Sequence, residues 1–255
     1  MCAIILPLLH FVKALCSLSF WHLNQTANRA LTEPVNHGTI SFRSTIGGTG
    51  LNTRFFELPE ERQAAMRNAG LEVFAKQNYA KASMEEAARL AGVSKALLFH
   101  YFENKRGFYL YLYEYATGLM IREMSAAHDY SETDFFNILI NAQLSKIAIL
   151  HAHPYAMQFI TNAYFEEDPR VRPALADSFS AIVADSSARF LARADASKLR
   201  EGVSAEALLN IVLWMADGFM RSRTPEQLQD LDALNDAFLA HVGLLKKQFY
   251  KEEFL

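Results

Sequence analysis

The chain has 255 residues, enough for one large domain or two smaller ones, each with its own core. Its composition, 51% hydrophobic and 21% charged, is typical of a globular protein. The formal net charge of −3 excludes binding of nucleic acid through overall basicity, although a local basic surface could still bind DNA. The two cysteines, Cys2 and Cys16, both precede residue 20, so we expect no disulfide framework, which suits a reducing compartment.

The first 50 residues differ from the rest of the chain. Residues 1–20 are apolar around Pro7 and Lys13, without the basic region and cleavage site of a signal peptide. Their length would allow a membrane span, but the proline and the charge count against it. The following residues are rich in Asn, Thr, Ser and Gly, as loops are. We expect residues 1–50 to be a disordered or non-native extension, with Leu51 as a candidate translation start.

The sequence SMEEAARLAGVSKALLFHYFENK, residues 83–105, predicts two short helices joined by a tight turn. Ser83 precedes Glu86 at the spacing of a capping box, and the small apolar residues that follow share one helix face. Gly92 permits the left-handed backbone that ends a helix, and Ser94 can cap the second helix. A helix over residues 59–77, starting with Pro59 and two glutamates, is expected to pack over this pair.

The outer face of the second short helix carries an unusual set of side chains. Leu98 and Phe102 are spaced i, i+4 and are expected to face inward. The residues left for the outside are Lys95, Ala96, Leu97, Phe99, His100 and Tyr101. A face with a cation, an imidazole and aromatic rings suits a helix in the major groove of DNA. A surface helix without such a role is the alternative.

With the preceding AGLEVFAKQNYAKA, this segment resembles the DNA-binding domain of the TetR family of bacterial transcription regulators, over about residues 56–112. The resemblance implies an all-α fold, with a three-helix DNA-binding domain at 51–106 and a larger helical domain for effector binding and dimerisation at 107–255. It implies base contacts from Lys95, Ala96 and Leu97. It implies phosphate contacts from Ser83, Ser94, His100, Tyr101 and Lys105, and Phe99 stands where the family commonly has a DNA-contacting tyrosine. The two serines are equally explained as helix caps.

Patterning after residue 105 predicts six further helices and no strand. Expected bounds are 105–127, 131–152, 155–165, 173–194, 204–221 and a ninth helix from Thr224. The eighth helix is apolar nearly all round, and the ninth has an apolar stripe, which together favour a homodimer through a four-helix bundle. The predicted interface residues are Leu208, Val212, Met215, Phe219, Leu231, Leu234, Phe238, Val242 and Leu245. A monomer that buries this surface internally is the alternative.

The sequence offers no catalytic motif, so we expect no enzyme and no cofactor. His151 and His153 are spaced i, i+2 and point to different helix faces, so no metal site is expected either. Large aromatic residues between positions 151 and 214 indicate either core packing or an apolar effector pocket. The pocket residues that we predict are His151, Tyr155, Phe159, Phe179 and Trp214.

The leading hypothesis is a cytoplasmic, homodimeric transcription regulator, acting as a repressor without any membrane association. It would bind a palindromic double-stranded DNA operator and be released by a small apolar or aromatic effector. The alternative is a DNA-bound helical adaptor that recruits a protein partner without a small-molecule effector.

Overall fold

The structure, a computed structural model, describes residues 52–127, 129–224 and 227–255. In these residues it contains nine α-helices and no extended strand, so the predicted all-α fold is confirmed. The helices are α1 (Glu60–Lys76), α2 (Met84–Leu90), α3 (Lys95–Phe102), α4 (Lys105–Ala126), α5 (Phe135–Ala152), α6 (Pro154–Phe165), α7 (Arg172–Arg193), α8 (Ala205–Arg221) and α9 (Leu231–Phe249). The expectations for residues 1–50 and for Leu51 lie outside the described residues.

Helices α1, α2 and α3 form a compact unit that rests on the first half of α4. The approach of α1 to α4 is close at Gly70, where an added Cβ would lie 2.5 Å from side-chain atoms of Phe108 and Leu112. Both of these α4 side chains are fully buried. Glycine at this position therefore allows two helices to pack at a distance that a larger residue would prevent.

Helix α4 is long enough to connect the first unit to the remaining helices. The Asn104 side chain caps it by accepting a hydrogen bond from the Gly107 N–H at 2.9 Å. Further along α4, Tyr113 is fully buried, and its ring lies 5.3 Å from that of Phe179 on α7. One helix thus contributes to two packed regions.

Four of the five helices after α4, namely α5, α6, α8 and α9, start at residues that favour a helix start. Pro154 is the first residue of α6, and Asp134, Ser204 and Asp230 cap α5, α8 and α9 with their side chains. Helix α5 is the one described helix that is long and apolar enough to cross a membrane. Core helices of soluble proteins meet the same criterion, so this is weak evidence for a membrane span.

The predicted start of the ninth helix at Thr224 is wrong. Thr224 and Gln227 do exchange the two hydrogen bonds of a capping box, at 3.0 and 3.3 Å, but they close only a 3₁₀ helix at Gln227–Gln229. The long helix begins at Leu231, because Asp230 supplies a second cap by accepting from the Ala233 N–H at 3.1 Å. Two capping residues, Thr224 and Asp230, lie close together in the sequence, and the long helix starts after the second one.

The residues predicted to form the dimer interface lie mainly inside a single chain. Met215 and Leu245 are half-buried, and the other seven are buried, namely Leu208, Val212, Phe219, Leu231, Leu234, Phe238 and Val242. A side chain buried within its own chain has little surface to offer a partner, so these seven residues are corrected to core positions. The large apolar side chains exposed on α8 and α9 are instead Trp214 (50% exposed) and Leu244 (60% exposed).

Candidate nucleic-acid interface

The tight turn between α2 and α3 has the chemistry that the sequence predicts. Ser83 Oγ accepts from the Glu86 N–H at 3.3 Å, and Ser94 Oγ accepts from the Leu97 N–H at 3.1 Å. Between the helices, Gly92 adopts φ +66°, in the left-handed region that favours glycine. The two helices therefore meet in a helix-turn-helix arrangement, with α3 as the second, recognition helix.

The recognition helix exposes three of the six residues predicted for its outer face. Lys95, Ala96 and His100 are exposed, and Leu97 and Phe99 are half-buried. Tyr101 is an exception, since it is 8% exposed.

The burial of Tyr101 corrects its predicted place on the outer face. Its ring lies 5.7 Å from that of Phe55, which belongs to the segment before α1. Tyr101 is also three residues after the buried Leu98, so helix spacing alone could have placed it on the inner face. A partner from another segment of the chain covers Tyr101.

That partner is the N-terminal arm, residues 52–58, which contains a 3₁₀ helix at Thr53–Glu57. Phe55 anchors the arm with no exposed surface, 4.9 Å from the Phe102 ring and 5.3 Å from the Tyr111 ring. The Asn52 N–H donates to the Tyr101 carbonyl at 2.8 Å. The arm thus satisfies a free carbonyl at the end of the recognition helix. Helix spacing could not reveal these contacts, because they join segments that are far apart in the sequence.

Lys95 lies at the first position of the recognition helix and is paired with α2. Its Nζ is 3.4 Å from a carboxylate oxygen of Glu85, and both side chains are largely exposed. An exposed pair of this kind contributes about 0–1 kcal/mol. The ammonium is therefore free to exchange Glu85 for a base edge at little cost.

Lys105, a predicted phosphate contact, is held by the loop between α1 and α2. Its Nζ donates to the carbonyls of Ala80 and Ala82, at 3.2 and 2.6 Å, and lies 4.9 Å from the centre of the Tyr79 ring. Burial, together with the nearby Arg170, lowers the pKa of Lys105. An ammonium has three donors, so this lysine ties the loop to α4 with two of them.

A second set of contacts connects the helix-turn-helix unit to α6. The Asn162 amide donates to the carbonyls of Phe74 and Ala75, at 3.1 and 2.8 Å, which are free carbonyls in the last turn of α1. One residue beyond α6, the buried Glu166 accepts from the Tyr79 N–H at 2.7 Å. The helix-turn-helix unit is therefore held by α6 as well as by α4.

The loop between α6 and α7 strengthens the same contact with charges. Arg170 lies 4.8 Å from the centre of the Tyr79 ring, on which Lys105 also lies. The Arg106 side chain donates to the Arg170 carbonyl at 2.7 Å. Hydrogen bonds from Arg170 lower the pKa of Asp168 to about 2, so this carboxylate stays charged over the physiological range. Movement of the loop between α6 and α7 would disturb both the loop that follows α1 and the start of α4.

The five residues predicted for the effector pocket divide into three exposed side chains and two that are packed in the core. His151, Tyr155 and Trp214 are exposed. Phe159 is fully buried against the rings of Phe74 and Tyr109, and Phe179 is buried against Tyr113 and Tyr164. Aromatic residues at helical spacing are explained equally well by core packing, and these two phenylalanines are used for packing.

Clefts open elsewhere on the described surface. One of about 520 Å³ lies between the end of α1 and α6, and is lined by Ala75, Lys76, Gln77, Asn78, Gln158, Asn162, Phe165, Glu166 and Glu167. Another of about 210 Å³ lies where α4 ends, against α5 and α7. Within residues 52–127, 129–224 and 227–255, no three or more His, Cys, Asp or Glu side chains are grouped as a metal site requires.

A helix-turn-helix unit followed by a long helix and further helices is an architecture typical of helical DNA-binding regulators. The family model of bacterial regulatory proteins, tetR family, matches residues 67–112. Solved structures with this fold are TetR-family regulators too, so the predicted resemblance to the TetR family is confirmed.

Three such structures illustrate the likeness in fold. A TetR family transcriptional regulator from Chloroflexus aurantiacus is 19% identical, with 79% of this chain and 99% of that chain covered and a TM-score of 0.57. SmeT, the repressor of the SmeDEF multidrug efflux pump of Stenotrophomonas maltophilia, is 18% identical over 75% and 93%, with a TM-score of 0.52. A TetR-like regulator from Rhodococcus sp. RHA1 is 19% identical over 73% and 98%, with a TM-score of 0.50. No curated protein matches the sequence.

Proposed function

We propose that this chain is a homodimeric, cytoplasmic transcriptional repressor and not an enzyme. It binds a palindromic DNA operator and is released from it by a small apolar or aromatic effector. The observation that carries the proposal is the helix-turn-helix unit, whose recognition helix presents Lys95, Ala96 and His100 to solvent. The match of residues 67–112 to the TetR family model supports the same function.

Base contacts in this proposal come from the start of the recognition helix. Lys95 can donate to O6 and N7 of guanine, and Ala96 and Leu97 can contact a thymine methyl group. Phosphate contacts come from His100 and from the helix N-termini at Ser83 and Ser94, where free N–H groups attract anions.

The other residues predicted to contact DNA mainly stabilise the recognition helix and the loop next to it. Tyr101 packs beneath the recognition helix, and Lys105 fixes the adjacent loop with two of its donors. The third donor of Lys105 and the edge of the half-buried Phe99 remain for the DNA backbone.

The dimer in this proposal forms through the outer faces of α8 and α9, in a domain that begins near residue 107. Trp214 and Leu244 are large, apolar and at least half exposed, and tryptophan is enriched among the residues that carry most of the binding energy of an interface. Leu244→Glu should give a folded monomer by light scattering, because a charge would be buried at the interface. Leu144→Glu places the same charge on α5, at a leucine with 49% exposure, and should leave the dimer intact. A dimeric Leu244→Glu variant would place the interface elsewhere.

Release from DNA in this proposal passes through α6 as well as α4. Asn162 and Glu166 hold α1 and the loop that follows it, so a ligand that shifts α6 must strain these hydrogen bonds. A ligand that binds the shifted state more tightly lowers the affinity for DNA. By linkage, DNA lowers the affinity for the ligand by the same factor. That factor is about 5–150-fold for typical coupling.

The adaptor hypothesis is the second candidate, and a specific observation favours it. The five residues predicted for an effector pocket are either exposed or packed in aromatic clusters. A screen of small aromatic molecules separates the two candidates by melting temperature and by operator titration. A compound that raises the melting temperature and lowers operator affinity supports the effector. A protein that is captured only by the DNA-bound dimer, with no such compound, supports the adaptor.

A further inference from the structure

We propose that Asn52 is a positioning residue for DNA binding, which holds the His100 imidazole in the tautomer that donates from Nδ1 to a DNA phosphate. The inference rests on the proposed function, since it assigns a chemical state to one of its DNA contacts. It concerns a hydrogen bond between the N-terminal arm and the recognition helix that the helix-turn-helix pattern does not contain.

The arm places Asn52 directly beside His100. The Asn52 side-chain nitrogen Nδ2 lies 3.2 Å from His100 Nε2. The position is fixed from two sides, because the Asn52 N–H donates to the Tyr101 carbonyl at 2.8 Å and Phe55 anchors the arm in the core. The two side chains are therefore held together by backbone and packing, and not by a single exposed contact.

A second hydrogen bond decides which way the Asn52 amide points. Its oxygen Oδ1 accepts from the Arg54 N–H at 3.1 Å, which makes Asn52 the N-cap of the 3₁₀ helix. An amide oxygen only accepts and an amide nitrogen only donates. With Oδ1 used by the backbone, Nδ2 is the atom that faces His100, and it must be the donor of that bond.

The donor on Asn52 determines the proton on His100. If Nε2 accepts a hydrogen bond, it carries no proton, and a neutral imidazole then has its proton on Nδ1. His100 is exposed on the recognition helix, and none of the described residues accepts a hydrogen bond from Nδ1. An exposed N–H donor on a helix that enters the major groove is available to a phosphate oxygen. The other tautomer would present a lone pair to the phosphate and would be repelled.

Two substitutions at Asn52 separate the hydrogen bond from the cap. Ser and Asp are both good N-caps, so either one keeps the bond to the Arg54 N–H. Asn52→Ser is too short to reach His100 and removes the bond. Asn52→Asp keeps an atom next to His100, but that atom is an acceptor, so the neutral ring must carry its proton on Nε2.

The first measurement is the tautomer of His100 in the free, full-length protein, from the nitrogen chemical shifts of its neutral ring. The wild type should show the Nδ1–H form and Asn52→Asp the Nε2–H form. A wild type in the Nε2–H form overturns the inference without any reference to DNA.

The second measurement is operator affinity in a double-mutant cycle. His100→Ala should weaken binding by about tenfold, as expected for a hydrogen bond to a charged phosphate. Asn52→Ser should weaken it by about fivefold in the wild type and have no effect in the His100→Ala background. An equal loss in both backgrounds, or no loss in either, overturns the inference. A wild type that binds every duplex equally overturns the proposed function itself, and this result needs no variant.

Discussion

Replacement of Phe55 by alanine tests whether the N-terminal arm is part of the DNA-binding domain. Phe55 has no exposed surface and contacts the rings of Phe102, Tyr111 and Tyr101, with centroid distances of 4.9, 5.3 and 5.7 Å. Truncation of a fully buried phenylalanine typically costs about 3–5 kcal/mol. Because the cavity would open beside the recognition helix, we expect a cost in this range and a loss of operator affinity.

The neighbouring Phe56 provides a matched control. It is 55% exposed, and its ring meets those of Phe55 and Tyr111 only at the edge, with centroids 5.5 and 6.4 Å apart. An aromatic pair is worth about 0.5–1.5 kcal/mol, so Phe56→Ala should cost about 1 kcal/mol. The same chemical change, one residue apart, should therefore differ at least threefold in its effect on stability.

The assay is urea unfolding followed by circular dichroism, with the free energy of unfolding extrapolated to water. Protein concentration must be equal for all variants, because the stability of a dimer depends on it. Equal destabilisation by Phe55→Ala and Phe56→Ala, or a cost below 1 kcal/mol for Phe55→Ala, would refute the account of the arm.

Three further predictions concern DNA contact, domain contact and pH. Lys95→Ala should weaken operator binding by about 1–3 kcal/mol and relax the preference at one base pair, whereas Lys105→Ala should weaken all duplexes alike, in titrations on operator variants. Asn162→Ala should cost about 1–2 kcal/mol in urea unfolding, because two carbonyls of α1 lose their donor. Burial raises the pKa of Glu114 to about 7 from an ordinary value of 4.5, so the folded state binds the extra proton between these values. Stability should then fall as pH rises through this window, and Glu114→Gln should abolish the fall in melting curves at pH 5 and 8.

The helix-turn-helix could be predicted because its signals are local. Ser83, Gly92 and Ser94 act on backbone atoms only two or three residues away, so their spacing in the sequence is their spacing in the structure. The number of helices could be predicted in the same way, from capping residues and from the periodicity of apolar residues. The error at the ninth helix arose where two local signals, Thr224 and Asp230, competed within a few residues.

The side-chain contacts that the sequence did not reveal depend on packing between distant segments. Tyr101 is buried by Phe55, and Lys105 is held by carbonyls of the preceding loop. Periodicity shows which residues of a helix share a face, but not what covers that face. For this reason, buried residues such as Phe238 were predicted for the dimer interface, while the exposed Trp214 was not. Tertiary packing decides which face of each helix is buried within the chain and which is exposed, and the sequence of either helix alone does not show this.

The central claim is specific recognition of duplex DNA, and its most direct test is an affinity ratio at one salt concentration. A duplex selected from a random pool by the full-length protein is titrated against the same duplex with both half-sites scrambled. The account predicts a palindromic site with half-sites about one turn apart, and a preference of about a thousandfold or more over non-specific DNA. Equal affinity for the two duplexes, or no palindrome among the selected sequences, would contradict it.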